Sequence, residues 1–119
     1  MASTEELLEA FAEWRTRSNG NPRLTKMMKG WDRVIHFVTT DTAQGYTMWV
    51  EDQHLSGLAV GHEGQPDVVV TGSSEDFCDM FWGDLNPSEK YMSGEITLVG
   101  SQQDVMRIDA ISMVAFLDT

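Results

Sequence analysis

The sequence contains little of three things that each mark a class of protein: cysteine, basic side chains and long apolar runs. Cys78 is the only cysteine in 119 residues, so the chain cannot close an internal disulfide. A single free cysteine is typical of a protein from a reducing compartment, and we expect a cytoplasmic location.

Basic residues are far outnumbered by acidic ones. Eight lysines and arginines stand against nineteen aspartates and glutamates, which gives a formal net charge of −11. Nucleic acids and anionic lipid surfaces attract basic proteins, so long-range electrostatics opposes the binding of this chain to either. We therefore expect no nucleic-acid partner and no role in ferrying ligands between anionic membranes.

Apolar residues make up 41% of the sequence, yet no window approaches the ~18 continuous apolar residues that a membrane-spanning helix needs. The first ten residues, MASTEELLEA, lack the basic start and the apolar stretch of an export signal. We expect no stable membrane insertion.

The length suits one domain, so residues 1–119 are predicted to fold as a single unit.

Motifs for chemistry are missing as well. His36, His54 and His62 do not have the i, i+2 or i, i+4 spacing of local metal ligands. There is no Gly-x-Ser-x-Gly elbow and no glycine-rich loop that continues into Lys-Ser or Lys-Thr. Cys78 lies in an apolar helical segment, where it is expected to be a small buried hydrophobe. No metal, cofactor or catalytic residue is predicted.

The N-terminal half predicts two helices and then four strands. Ser3 and Glu6 form a capping box before an amphipathic helix over residues 4–18, and Pro22 begins a short helix that ends at Gly30. From Trp31 the apolar period changes to two, and short turns separate four strands up to residue 71. Short turns predict an antiparallel meander. The first helix could close over the sheet or serve an oligomer.

The C-terminal half predicts a helix that ends at Gly83, a short helix from Pro87 to Gly94, a strand over 95–99 and a last helix after Ser101. The order of elements is therefore helices, four strands, helices, strand, helix. This order predicts an α+β fold in two layers, with helices covering one face of a five-stranded, mostly antiparallel sheet.

The last helix has more apolar surface than packing on a sheet requires. Met113 to Leu117 are apolar on every side of the helix, so a partner subunit, a neighbouring helix or an apolar ligand has to cover the additional face. Eight methionines fit two interpretations: they fill irregular gaps in a core, or they line an adaptable cavity.

An acid–base enzyme is the alternative to a binding protein. Burial in an apolar pocket can raise the pKa of a carboxyl group into a useful range. Asp84, Asp104 and Asp109 lie near the apolar segments and are the candidates for an isomerase-like or hydratase-like reaction. With no other reaction machinery in the sequence, an apolar binding site is the preferred interpretation.

The order and spacing of several motifs resemble the sterol carrier protein type 2 family of lipid-binding domains. They are the helix ending in Gly83, the Asn86-Pro87 pair, Gly94 seven residues after the proline, the alternating strand that follows, and Gly100. Upstream, Gln65-Pro66-Asp67-Val68 is similar to the family's entry to its fourth strand. The resemblance covers about residues 31–117. Lys90 and Glu95 depart from the residues usual in the family at these positions.

The resemblance implies a lipid-type ligand, such as a sterol, fatty acyl chain, acyl-CoA or isoprenoid, in a cavity between sheet and helices. The residues expected to line this cavity are Phe77, Phe81, Trp82, Tyr91, Met92, Met106, Met113 and Phe116. Trp82 is expected at its rim, and Trp14, Trp31 and Trp49 away from it. A lipid-metabolising enzyme is a further partner class, as the recipient of the lipid or as the larger protein of which the chain is an accessory module. A monomer and a homodimer both fit.

Overall fold

A computed structural model describes residues 1–118, and its elements follow the predicted order. They are α1 (Thr4–Asn19), α2 (Pro22–Met27), β1 (Arg33–Thr39), β2 (Gln44–Glu51), β3 (His54–Val60), β4 (Val68–Gly72), α3 (Ser74–Trp82), α4 (Pro87–Ser93), β5 (Thr97–Gly100) and α5 (Gln102–Leu117). Thr119, the last residue of the predicted single domain, lies outside the described residues, and the assignment of 1–119 to one domain stays a prediction. No helix within residues 1–118 combines the length and apolarity needed to cross a bilayer.

The helix ends follow the sequence signals closely. The Ser3 side chain accepts a hydrogen bond from the Glu6 backbone, and the Glu6 side chain accepts one from the Ser3 backbone. Gly83 and Gly94 end α3 and α4 with φ of 84° and 79°, a left-handed conformation that glycine adopts without a Cβ penalty. The short helix α4 is thus bounded by two glycines.

The five-stranded sheet has the order β3-β2-β1-β4-β5 and is antiparallel except for the pair β1 and β4. The predicted α+β architecture is confirmed, but the expectation that the first four strands form a meander is wrong. After β3, residues 61–67 cross the sheet surface, and β4 joins the far side of β1 in parallel. The backbone of Asp67 donates to the Val34 carbonyl at 2.8 Å, which holds the end of this crossing at the start of β1.

Two histidines fix this crossing segment to the sheet. The His36 ring is stacked on the His62 ring, with centroids 4.3 Å apart and planes 8° from parallel. His36 Nε2 lies 3.0 Å from the Glu63 carbonyl oxygen, and His62 Nε2 lies 3.1 Å from that of Phe37. Because a carbonyl only accepts, both Nε2 atoms carry the hydrogen. Within residues 1–118, no three His, Cys, Asp or Glu side chains cluster as metal ligands.

The core lies between the sheet and the helices. Ile35, Phe37, Met48 and Val70 contribute from the sheet, and Phe11, Trp14, Leu24, Met28, Phe77, Met80, Phe81 and Ile111 contribute from the helices. Aromatic rings make up its centre: Phe81 lies with its ring centroid 5.1 Å from Trp14 and 5.5 Å from Phe11. Because α1 closes over the sheet here, its apolar face belongs to the core.

Asp104 anchors the first turn of α5 to the start of β1. Its Oδ1 accepts hydrogen bonds from Trp31 Nε1 at 2.8 Å and from Arg33 Nε at 3.0 Å. Burial raises the pKa of Asp104, but the bonds from Trp31 and Arg33 outweigh burial and hold this pKa below its ordinary value. An ionised carboxylate held by these two bonds positions α5 on the sheet and has no proton to give to a substrate.

Candidate functional site

A small apolar cavity lies under the helices, at the centre of the fold. Its volume is about 30 Å³, enough for about one water molecule and far below the ~300 Å³ of a small ligand site. The sheet contributes residues such as Ile35 and Met48, and the helices contribute residues such as Trp14, Met80 and Ile108. We call this space the inner cavity.

A larger pocket opens to the surface at the edge of the sheet, between α4, β5 and α5. Its volume is about 350 Å³, within the range of pockets that hold small molecules. Its lining consists of Tyr91, Ile96, Thr97, Leu98, Val105, Met106 and Asp109. We call it the outer pocket. It is apolar except for two hydroxyl groups and one carboxylate.

Tyr91 lines both the outer pocket and the inner cavity. Ser112 Oγ donates to the Ile108 carbonyl at 2.6 Å, so the Tyr91 hydroxyl, 2.9 Å from Ser112 Oγ, is the donor in their bond. Burial raises the pKa of Tyr91 to about 12, and the phenol is therefore neutral. A neutral aromatic side chain whose hydroxyl makes one hydrogen bond therefore forms part of the partition between the two spaces.

Three polar contacts tie α4 to α5 beside this partition. Besides the bond between Tyr91 and Ser112, the Ser88 hydroxyl lies 3.2 Å from Asp109 Oδ1 and 3.3 Å from Met113 Sδ. Because α4 has only seven residues and both of its bounding glycines tolerate unusual backbone angles, this helix is the element of the wall that can move with the fewest lost contacts.

The two residues that depart from the resembled family contact each other. Lys90 Nζ lies 2.7 Å from Glu95 Oε2 and 3.5 Å from Asp76 Oδ1. The hydrogen bond from Lys90 lowers the pKa of Glu95. The positive charge of Lys90 and the negative charge of Glu95 therefore offset each other. The Lys90 ammonium group bonds to carboxylates outside the lining of the outer pocket.

The structure brings two of the eight predicted site residues together. Tyr91 and Met106 both line the outer pocket, and Met106 is 62% exposed at its rim. Phe77 and Phe81 are buried core residues that line neither the outer pocket nor the inner cavity. Their predicted contact with a ligand stays a prediction.

The other four predicted residues lie around the site. Trp82 is 37% exposed at the end of α3, and Met92 is 88% exposed on α4. Met113 and Phe116 are half-buried on α5. Among residues 1–118, none of these four belongs to the lining of the two spaces, so their predicted role in binding also stays a prediction.

Sequence reasoning missed the contribution of the N-terminal half. Trp14 of α1 and Trp31 before β1 line the inner cavity, although both were expected away from a ligand. The helical apolar face of α1 was visible in the sequence and predicted its burial. The sequence carried no signal that this face would meet the cavity, because that contact depends on how α1 crosses the sheet.

The candidate groups for catalysis do not assemble. Asp84 is exposed in the turn after α3, Asp104 is engaged at the start of α5, and Asp109 lines the outer pocket. Cys78 is half-buried on α3, where burial and then the Asp79 carboxylate raise the pKa of its thiol, which disfavours the nucleophilic thiolate.

Comparison with known proteins defines the family. The model of the SCP-2 sterol transfer family matches residues 11–112, and the chain belongs to this family. Hydroxysteroid dehydrogenase-like protein 2 of Rattus norvegicus is 40% identical over 57 residues, which are 44% of this chain and 11% of that protein. The matched part is thus a small section of a much longer relative.

Solved structures of similar fold agree with this assignment. The sterol carrier protein domain 2 of Helicoverpa armigera aligns with a TM-score of 0.68 at 18% identity, over 97% of this chain and 93% of that one. Palmitated SCP2L2 from Aedes aegypti aligns with a TM-score of 0.65 at 19% identity, over 93% and 95% of the two chains. At these identities the likeness establishes the fold.

Proposed function

We propose that this protein binds one apolar lipid-type molecule and does not transform it. The observation that carries the proposal is that Tyr91 lines both an open, ligand-sized pocket and an apolar cavity in the core. Membership of a sterol transfer family and the fold shared with a palmitated mosquito protein support a lipid as the occupant.

The lipid enters through the outer pocket, and its apolar part extends toward the inner cavity. Reaching the cavity requires that the Tyr91 ring turn away from Ser112 and that α4 shift from α5. Burial of apolar ligand surface supplies about 25 cal/mol per Å², from which the cost of opening the junction is subtracted. Without a lipid, Tyr91 stays bonded to Ser112, α4 stays on α5, and the core is almost fully packed.

A role in presenting the lipid to an enzyme follows from the relatives. The chain matches about a tenth of the length of a hydroxysteroid dehydrogenase-like protein, so domains of this kind occur joined to much larger proteins. We propose that this protein hands its lipid to a lipid-metabolising enzyme in the cytoplasm, where its negative charge limits competing contacts with anionic membranes. Residues 1–119 act as one binding domain in this proposal, as a monomer or a homodimer.

Native mass spectrometry tests the proposal. We expect the protein, mixed with a small excess of hexadecan-1-ol, to give a complex of one protein and one lipid that disappears under denaturing conditions. The protein as purified, sprayed without added lipid, will reveal any retained ligand by the mass difference. Spectra that contain only the bare protein, with added sterols and acyl lipids alike, would contradict the proposal.

A further inference from the structure

We propose that Asp109 makes the outer pocket select an apolar lipid whose head group donates a hydrogen bond and carries no negative charge, over a lipid carboxylate. The inference rests on the proposed function and narrows its ligand class. A long-chain alcohol or a ring system bearing a hydroxyl group has this chemistry, whereas a free fatty acid or an acyl-CoA does not.

Asp109 is the one charged side chain in the lining of the outer pocket within the described residues. The remaining polar side chains of the lining are the hydroxyl groups of Tyr91 and Thr97, which are neutral and serve as donors or acceptors. The charge in the lining of the pocket is therefore the negative charge of one carboxylate. A second carboxylate placed there would meet a like charge in a partly desolvated site.

The Asp109 carboxylate has room to accept a hydrogen bond from a ligand. Its side chain accepts one hydrogen bond in residues 1–118, from the Ser88 hydroxyl to Oδ1 at 3.2 Å. A carboxylate has about four acceptor positions, so Oδ2 remains for a donor that enters the pocket. An alcohol supplies such a donor, and an ionised carboxylate supplies none.

Six of the eight basic side chains have partners elsewhere, and the other two lie outside the lining of the pocket. Arg33 pairs with Asp104, Arg23 with Asp118, and Lys90 with Glu95 and Asp76. Three other arginines donate to carbonyl oxygens: Arg15 to Leu55, Arg17 to Phe81 and Trp82, and Arg107 to Met27. Lys26 lies on α2 and Lys29 in the turn after it, and neither lines the pocket. The site therefore lacks the cation that usually receives a carboxylate or phosphate.

The test compares two lipids with the same 16-carbon chain, hexadecan-1-ol and hexadecanoate, by displacement of the neutral dye Nile red at pH 8 and 0.15 M salt. At this ionic strength the general negative charge of the protein is screened beyond about 8 Å. The two head groups also differ in hydration. For each protein we therefore take the ratio of the dissociation constants of the two lipids, and we compare the ratio of each variant with that of the wild type.

We expect Asp109→Asn to tighten hexadecanoate binding about tenfold and to change hexadecanol binding by less than about threefold. Asp84→Asn removes the same charge outside the pocket and serves as the control, with an unchanged ratio. Met106→Lys adds a cation at an exposed rim position and should also tighten hexadecanoate binding. Val60→Lys adds it on the opposite edge strand, β3, and should have no effect.

Met106→Lys keeps the test decisive if Asp109→Asn fails to fold, because the Met106 side chain is 62% exposed. An unchanged ratio in Met106→Lys, and in Asp109→Asn if it folds, overturns the selectivity and leaves lipid binding standing. If neither lipid displaces Nile red from the wild-type protein, both the selectivity and the proposed function are overturned.

Discussion

Replacing Phe81 with alanine is expected to lower the free energy of unfolding by about 3–5 kcal/mol, the usual cost of deleting a buried phenylalanine. The Phe81 side chain is 1% exposed. Its ring lies 5.1 Å from that of Trp14, 5.5 Å from that of Phe11 and 5.9 Å from that of Phe37. Its removal leaves a void where α1, α3 and the sheet meet. Urea denaturation followed by circular dichroism measures the loss.

Trp82→Ala is the matched control, one residue further along α3. Because Trp82 is 37% exposed, we expect a loss nearer to about 1 kcal/mol. Equal losses at the two positions would contradict the assignment of Phe81 to the core.

Phe81 was predicted from the sequence to line the ligand site. A folded Phe81→Ala protein with lipid affinity changed by more than tenfold would support that prediction, and an unchanged affinity would limit Phe81 to stability.

Replacing Ile108 with tryptophan is expected to weaken lipid binding by about a hundredfold or more, which corresponds to about 2.7 kcal/mol. Ile108 lies on α5, where its half-buried side chain lines the inner cavity. An indole at this position fills the inner cavity, whose volume is about 30 Å³. It also occupies the path that the apolar part of the lipid would take past Tyr91. Displacement of Nile red by hexadecan-1-ol measures the change.

Leu117→Trp places the same side chain on the outside of α5, where Leu117 is 65% exposed, and should leave binding unchanged. Overpacking at Ile108 is expected to cost about 1–3 kcal/mol of stability, so thermal melting must show that the variant is folded. A folded Ile108→Trp protein that binds the lipid as tightly as the wild type would place the ligand somewhere other than the inner cavity.

Local signals in the sequence predicted most of the elements. Capping residues such as Ser3 and the helix-ending glycines Gly83 and Gly94 act within a few positions of the chain, so their effect is visible without a fold. Alternating apolar residues likewise predicted the strands. The position of β4 could not be predicted in this way, because the crossing by residues 61–67 depends on contacts such as the stacking of His36 on His62, 26 positions apart.

The site was less predictable than the fold for a physical reason. Tyr91 and Met106 could be found because each lies in a short apolar segment of the region that resembles the family. The inner cavity, in contrast, is lined by side chains from four helices, four strands and the segment between α2 and β1. Trp14 and Trp31 belong to it only through tertiary packing. Aromatic residues such as Phe77 look the same in sequence whether they fill a core or contact a ligand.

A lipid that enters by the outer pocket and reaches the inner cavity has to contact methionine side chains in both spaces, which allows a direct measurement. Met106 lines the outer pocket, and Met28, Met48 and Met80 line the inner cavity, whereas Met1 is 79% exposed elsewhere. In protein labelled with ¹³C at the methionine methyl groups, titration with hexadecan-1-ol is expected to shift the NMR signals of Met106 and of the three cavity methionines, and to leave Met1 unchanged. A lipid complex in which the signals of Met28, Met48 and Met80 all stay in place would show that the lipid does not reach the inner cavity.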